Sequence, residues 1–130
     1  MSGIITIIAG IVLGLHGLVH LMGPAVYMKL TEIQGFTYKT TLLDGRWDLG
    51  ENGMRIFGAL WIVPDLGFIV CAAALLAGWE WWRPVIVAVT LFSLVLTALD
   101  WSVAYAGAVL NILILAVIWL GPRIVGWFSG

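Results

Sequence analysis

The chain has 130 residues, of which 62% are hydrophobic and only 10% are charged, and its formal net charge is −1. This balance excludes an ordinary soluble domain and predicts a protein whose main solvent is the lipid bilayer. The chain also lacks a basic stripe that could follow a phosphate backbone, which excludes nucleic acid as a partner.

Four apolar stretches are long enough to cross a bilayer, because a hydrocarbon core of about 30 Å needs roughly 20 apolar residues per helix. We place them near residues 4–28, 54–78, 84–100 and 103–122. Glycine–proline pairs and a tryptophan-rich turn bend, separate or end them. The sequence therefore predicts an all-α, integral membrane, antiparallel four-helix bundle that forms a single transmembrane domain over residues 1–130.

The first helix carries two histidines in the stretch GLHGLVHLMG. His16 and His20 are four residues apart and so share one helix face, from which two imidazoles can reach one metal ion. A third ligand would be needed, and Asp65 is the available candidate. The alternatives are a proton- or ligand-binding pair and histidines that only satisfy structural hydrogen bonds. On the same helix, Gly10 and Gly14 have the spacing that lets two helices approach closely.

Residues 29–53 form the only long stretch that is not apolar. Its aromatic residues and balanced charges predict a short strand pair or amphipathic turn on the membrane surface, with a solvated connector as the alternative. Lysine and arginine are more frequent around this loop than at the other end of the bundle. That excess favours a cytoplasmic loop with both termini outside.

The second helix carries an acid beside a proline. Pro64 removes a backbone donor, so we expect a kink at Asp65, whose carboxylate marks an ion or substrate site or simply pairs with His16. Arg55, near the start of this helix, either snorkels to the headgroups or reaches an anionic ligand, and Trp61 lies between the two. The single cysteine, Cys71, is expected to be a buried inert thiol.

The last two helices carry few polar residues. Thr90, Ser93 and Thr97 can bond back to their own helix and need no ligand. Asp100 lies close to a turn, and we expect it to be solvated at the interface. Asn111 falls near the middle of the fourth helix.

Counting 1.5 Å per residue from the helix ends puts His16, Asp65 and Asn111 at one depth in the membrane. If those faces turn inward, an imidazole, a carboxylate and a carboxamide meet in the bundle core and can satisfy one another. The predicted ligand-binding residues are His16, His20, Asp65, Asn111, Arg55 and Trp61. The lower-ranked metal site would use His16, His20 and Asp65.

Three stretches of the sequence resemble a group of small bacterial four-helix membrane proteins of unknown function. These stretches are HGLVHLMG at 16–23, RIFGALW at 55–61 and WSVAYAGAVLN at 101–111. The resemblance implies a shared fold and no particular activity, and Asp65 and Asp100 lie outside its pattern. The general layout is also similar to DoxX-like four-helix proteins, some of which are associated with quinone-linked redox complexes.

The leading interpretation is a non-enzymatic membrane protein that binds a small ligand, an ion or a proton at an intramembrane polar pocket. The alternatives are an accessory or structural subunit of a larger membrane complex and a quinone- or metal-linked redox protein. No catalytic motif is present, so catalytic residues stay unassigned and the sequence requires no cofactor. The expected location is a bacterial or archaeal cytoplasmic membrane, with assembly as a homo-oligomer or within a larger complex.

Overall fold

The computed structural model describes residues 3–129, and beyond residue 121 it describes the backbone alone. The elements, in chain order, are α1 (Gly3–His20), α2 (Met22–Tyr27), β1 (Thr41–Leu42), β2 (Trp47–Asp48), α3 (Gly50–Ala77), α4 (Trp82–Leu99) and α5 (Trp101–Ser129). Within the described part, four helical stretches are long and apolar enough to cross a membrane: Gly3–Tyr27, Gly50–Ala77, Trp82–Leu99 and Trp101–Gly121. The predicted all-α four-helix membrane bundle is confirmed.

The most extensive contacts between the spans follow the order α1, α3, α4 and α5. α1 packs mainly on α3, α3 on α4, and α4 on α5. The most apolar window of α3 is 44% buried inside the protein, whereas that of α5 is only 11% buried. Consequently α1, α3 and α4 supply most of the core, whereas most of the described side chains of α5 face outward.

Glycines allow α1 and α3 to approach closely. A Cβ atom added to Gly14 would lie 3.9 Å from the Cβ of Ala72, an ordinary contact. A Cβ added to Gly17 would lie only 2.8 Å from the backbone oxygen of Asp65, closer than real Cβ atoms come. At Gly17, α1 thus lies directly against the backbone of α3, beside the acid of that helix.

The first and last spans end differently from the prediction. The first span is interrupted at Leu21, so α1 ends at His20, and Pro24 falls within the first turn of α2, where its missing N–H costs least. α5 continues past Pro122 to Ser129. The side chains of this last stretch, which include Arg123 and Trp127, fall outside the described part.

The helix α3 passes through Pro64 and ends at a glycine. Gly78 has φ +79°, the left-handed conformation that glycine adopts without strain. Its N–H donates to the Leu75 oxygen at 3.2 Å, and the N–H of Trp79 donates to the Ala74 oxygen at 2.9 Å. This arrangement satisfies the last carbonyls of α3 before the turn into α4.

The loop between α2 and α3 folds onto the end of the bundle. Its strands β1 and β2 pair antiparallel, with Leu42 opposite Trp47. Leu42 is buried in the bundle core, and the backbone N–H of Leu43 donates to the oxygen of Leu99 at 3.0 Å. Of the arrangements expected for this loop, the structure contains the short strand pair, which packs against the end of the bundle.

The buried apolar side chains form two clusters at opposite ends of the bundle. The loop-side cluster contains Val26, Tyr27, Leu42, Met54, Phe57, Trp61 and Leu96. The far cluster contains Leu13, Phe68, Cys71, Ala72, Leu75 and Ile86. Along α1, α3 and α4, the segment between the two clusters carries the buried polar residues His16, Asp65 and Ser93.

Candidate functional site

Five polar side chains from all four spans meet between the two apolar clusters. We call this group the polar cluster: His16, His20, Asp65, Ser93 and Asn111. The two histidines are at most 5% exposed, and the other three are completely buried. Burying so many polar groups in a bilayer is costly unless each finds a partner or performs a task.

His16 bridges α1 to α5 through Asn111. The Nε2 atom of His16 lies 2.9 Å from Oδ1 of Asn111. A carboxamide oxygen only accepts hydrogen bonds, so His16 Nε2 must be the donor and must carry the hydrogen. Asn111 thereby sets the tautomer of His16 as assigned from the hydrogen-bond network.

The tautomer of His20 follows from that of His16. The two Nε2 atoms are 3.2 Å apart, and the rings meet edge to face with centroids 4.4 Å apart. Because His16 Nε2 carries a hydrogen and has no lone pair to offer, His20 Nε2 faces it as an acceptor. A neutral His20 then carries its hydrogen on Nδ1, the atom that faces Asp65.

Ser93 and Asn111 close the network on the side of α4. The Nδ2 group of Asn111 donates to Ser93 Oγ at 2.8 Å and to Thr97 Oγ1 at 3.4 Å. Ser93 Oγ in turn lies 3.4 Å from His20 Nε2, and its hydroxyl hydrogen points to that acceptor in the assigned pattern. Ser93 thus forms hydrogen bonds to side chains of other helices, whereas the sequence indicated only that its hydroxyl can bond back to its own helix. Thr97 and Thr90 do bond back, to the backbone oxygens of Ser93 and Ile86.

Asp65 is the one member of the cluster without a hydrogen bond. Within the described part of the chain, neither of its carboxylate oxygens has a hydrogen-bond partner, and neither has His20 Nδ1. These two groups face each other, with Nδ1 of His20 3.7 Å from Oδ1 of Asp65. The acid therefore faces His20. A pair with His16 was one interpretation of the sequence. The 3.7 Å separation suits an ion pair and exceeds hydrogen-bond length.

Aromatic rings enclose the imidazoles on the α3 side. The ring of His20 lies 4.9 Å from that of Trp61, and the ring of His16 lies 4.5 Å from that of Phe68. Trp61 precedes Asp65 by four residues and Phe68 follows it by three, so all three side chains share one face of α3. Phe68 was not among the predicted residues, although this spacing could have revealed it.

The structure does not assemble the predicted metal site. Asp65 faces Nδ1 of His20, whereas His16 faces Nε2 on the other side of the same ring. The three candidate ligands therefore do not converge on one point. Over the described residues, no group of three or more His, Cys, Asp or Glu side chains is placed to hold a metal ion.

Arg55 lies away from the cluster. It precedes Asp65 by ten residues, or about 15 Å along the helix axis. Its guanidinium is about half exposed and lies 3.6 Å from Glu51 one turn earlier. The structure thus brings together five of the six predicted ligand-binding residues, including Trp61, whose ring packs against His20. Arg55 is left at the membrane surface.

Asp100 is buried, and the prediction that it is solvated is wrong. Only 1% of it is exposed. The hydroxyl of Tyr27 donates to Oδ2 of Asp100, and the ammonium of Lys39 lies 2.5 Å from Oδ1. We call Tyr27, Lys39 and Asp100 the surface triad. The docked loop supplies Lys39 and covers the carboxylate.

The polar cluster is closed to the outside. Two surface clefts, of about 590 and about 500 Å³, are lined by other residues, one by the first part of the loop and the other by the turn between α3 and α4.

No protein-family model matches the chain, and neither a curated protein nor a solved structure is significantly similar to it. The function must therefore be argued from the geometry of the cluster.

Proposed function

We propose that this integral membrane protein takes up and releases a proton at the His20–Asp65 pair. The observation that carries the proposal is the unpartnered Asp65 carboxylate, completely buried and 3.7 Å from an imidazole nitrogen. A proton needs no cavity, which suits a cluster that is packed and closed. A larger ligand would need space that the surrounding rings of Trp61 and Phe68 occupy.

The charge of the pair explains why it would hold a proton. A neutral imidazole beside a carboxylate leaves one net negative charge, and an isolated acid at the centre of a membrane helix costs about 2.5 to 3.5 kcal/mol on insertion scales. One added proton makes the pair neutral, as an imidazolium with a carboxylate or as an imidazole with a carboxylic acid. Release of that proton restores the buried negative charge. The fraction of pairs that hold a proton therefore depends on the pH outside the membrane.

The test uses the fact that the chain has only two histidines and that both lie in the cluster. In protein labelled with ¹⁵N-histidine and reconstituted in bilayers, two imidazole spectra report the tautomers directly. Infrared difference spectra between low and high pH report the carboxylic acid band of Asp65. We expect the Asp65 carboxyl group to titrate, coupled to a change in the His20 signals.

The matched variants are Asp65→Asn and Asp44→Asn. Asp44 lies in the exposed turn of the loop, so its replacement changes the same number of charges without touching the cluster. The infrared band and the coupled histidine change should vanish in Asp65→Asn and persist in Asp44→Asn. If the protein is instead an accessory subunit that uses the cluster only for packing, wild type and Asp65→Asn will give the same difference spectra, and the proposal fails.

A further inference from the structure

The inner face of α4 carries a line of buried polar groups that leads from the polar cluster to the membrane surface. Ser93, Thr97 and Asp100 recur at spacings of four and three, so they share one helix face. The first two are completely buried, and Asp100 is 1% exposed. Ser93 precedes Asp100 by seven residues, which puts the cluster about 10 Å from the end of the helix.

The surface triad joins this line to water. Asp100 is faced by Tyr27 from α2 and by Lys39 from the loop. The Lys39 side chain is 24% exposed and also lies 3.4 Å from Ser102 at the start of α5. Lys39 is thus the member of the triad that reaches the outside, and Asp100 is the first buried acid behind it.

We propose that protons reach the His20–Asp65 pair from the loop side of the membrane, along Asp100, Thr97 and Ser93. This inference rests on the proposed function and adds the side and the route. Lys39 connects Asp100 with water, and the hydroxyls of Thr97 and Ser93, which follow on the same helix face, carry the proton onward. Thr97 is tied to the cluster through Asn111, and Ser93 directly through His20.

The assigned tautomer of His20 gives the last step its direction. Its Nε2 lone pair faces Ser93, and its Nδ1 hydrogen faces Asp65. When Nε2 accepts a proton from the hydroxyl side, Nδ1 can pass its own to the carboxylate once the two groups close from 3.7 Å to hydrogen-bond distance. One N–H bond forms and one breaks, one O–H bond forms on Asp65, and Ser93 recovers its hydrogen from the chain behind it. The ring is thereby left in the opposite tautomer.

The experiment compares two threonines of the same helix. Thr97 and Thr90 are both completely buried, and both donate to the backbone of α4. Thr97 lies between the cluster and the surface triad, whereas Thr90 lies on the other side of the cluster. Thr97→Val and Thr90→Val therefore remove the same group on the two sides of the proton-binding pair.

The measurement is the rate at which the Asp65 carboxyl band shifts after transfer of nanodisc-embedded protein into D₂O. We expect Thr97→Val to slow this shift by at least about tenfold, since a positioned acid–base group accelerates proton transfer by about 10² to 10⁴. Thr90→Val should exchange at the wild-type rate. Asp100→Asn, which keeps the size of the side chain, should also be slow and serves as the second variant if Thr97→Val does not fold.

The possible results separate the two proposals. Equal rates in wild type, Thr97→Val and Asp100→Asn would refute the loop-side route while leaving proton binding at Asp65 intact. Equal slowing by Thr97→Val and Thr90→Val would refute it too, because a general loss of packing would then explain both. Absence of a titrating Asp65 band in wild type would refute the proposed function itself.

Discussion

Replacing Gly17 by alanine tests the packing that positions the proton-binding pair. The added Cβ would lie 2.8 Å from the backbone oxygen of Asp65 and 3.2 Å from the Cβ of Phe68, whereas ordinary contact begins at 3.4 Å. Backbone atoms cannot turn aside, so α1 and α3 must separate by about 0.6 Å, the difference between 3.4 and 2.8 Å. Overpacking of this kind costs about 1 to 3 kcal/mol.

The control for this prediction is Gly14→Ala, one turn earlier on the same helix. The Cβ added there would make an ordinary contact of 3.9 Å with Ala72. Both substitutions gain the same intrinsic helix propensity, up to about 1 kcal/mol, so that gain cancels when the two variants are compared. Gly17→Ala should therefore unfold with a free energy about 1 to 3 kcal/mol lower than that of Gly14→Ala.

The assay is reversible unfolding of both variants in mixed detergent micelles containing increasing SDS, followed by far-UV circular dichroism. A second measurement is the ¹⁵N signal of His20, which should move in Gly17→Ala as the distance to Asp65 grows and stay in place in Gly14→Ala. Equal unfolding free energies and unchanged His20 signals in both variants would show that α1 and α3 do not meet as described.

Three further predictions concern other parts of the fold. Asn111→Leu leaves the imidazole donor of α1 and the hydroxyl of α4 without their partner, and the unfolding free energy should fall by about 1 to 3 kcal/mol; an unchanged value would argue against the bridge to α5. Leu42→Ala removes a buried anchor of the loop and should speed hydrogen exchange of the Leu43 amide, corresponding to a loss of roughly 2 kcal/mol or more, whereas truncating the half-exposed Leu43 side chain should do little. Cys71 is completely buried, so maleimide should label it far more slowly in the folded protein than in SDS, and equal rates would contradict its position.

The helices could be predicted from the sequence because length and apolar content decide whether a segment spans a bilayer. The residues at which the helices begin were harder to predict. α3 begins at Gly50, four residues before the predicted start, because the polar stretch that resembles a turn forms the first turn of the helix. Glu51 is favourable there, since a negative charge stabilises the positive end of the helix dipole.

The sequence also allowed the cluster of His16, His20, Asp65 and Asn111 to be predicted, because depth along regular helices follows from counting residues. The choice of partners could not be predicted. Whether Asp65 faces one histidine or the other depends on the rotation of α3 about its axis, which the sequence pattern does not define to within one side chain.

The surface triad shows what single-helix reasoning misses. The position of Asp100 at the end of a span was predicted, but its burial depends on Lys39, which is 61 residues away and brought in by the docked loop. Ser93 was missed for a different reason. Its spacing with the two threonines of α4 was visible, but a hydroxyl that can bond its own helix gave no signal that it would bond a histidine on another.

The unequal lengths of the spans have a consequence for the surrounding lipid. α4 has 18 residues and is about 27 Å long, shorter than a hydrocarbon layer of about 30 Å, whereas α3 has 28 residues and is about 42 Å long. A short helix is accommodated by local thinning of the bilayer, and a long one by tilting. α4 also carries the line of hydroxyls. Hydrophobic mismatch therefore brings headgroups and water closest to the helix along which we propose that protons move. We therefore expect proton exchange in this protein to vary with lipid acyl-chain length and to be fastest in thin membranes.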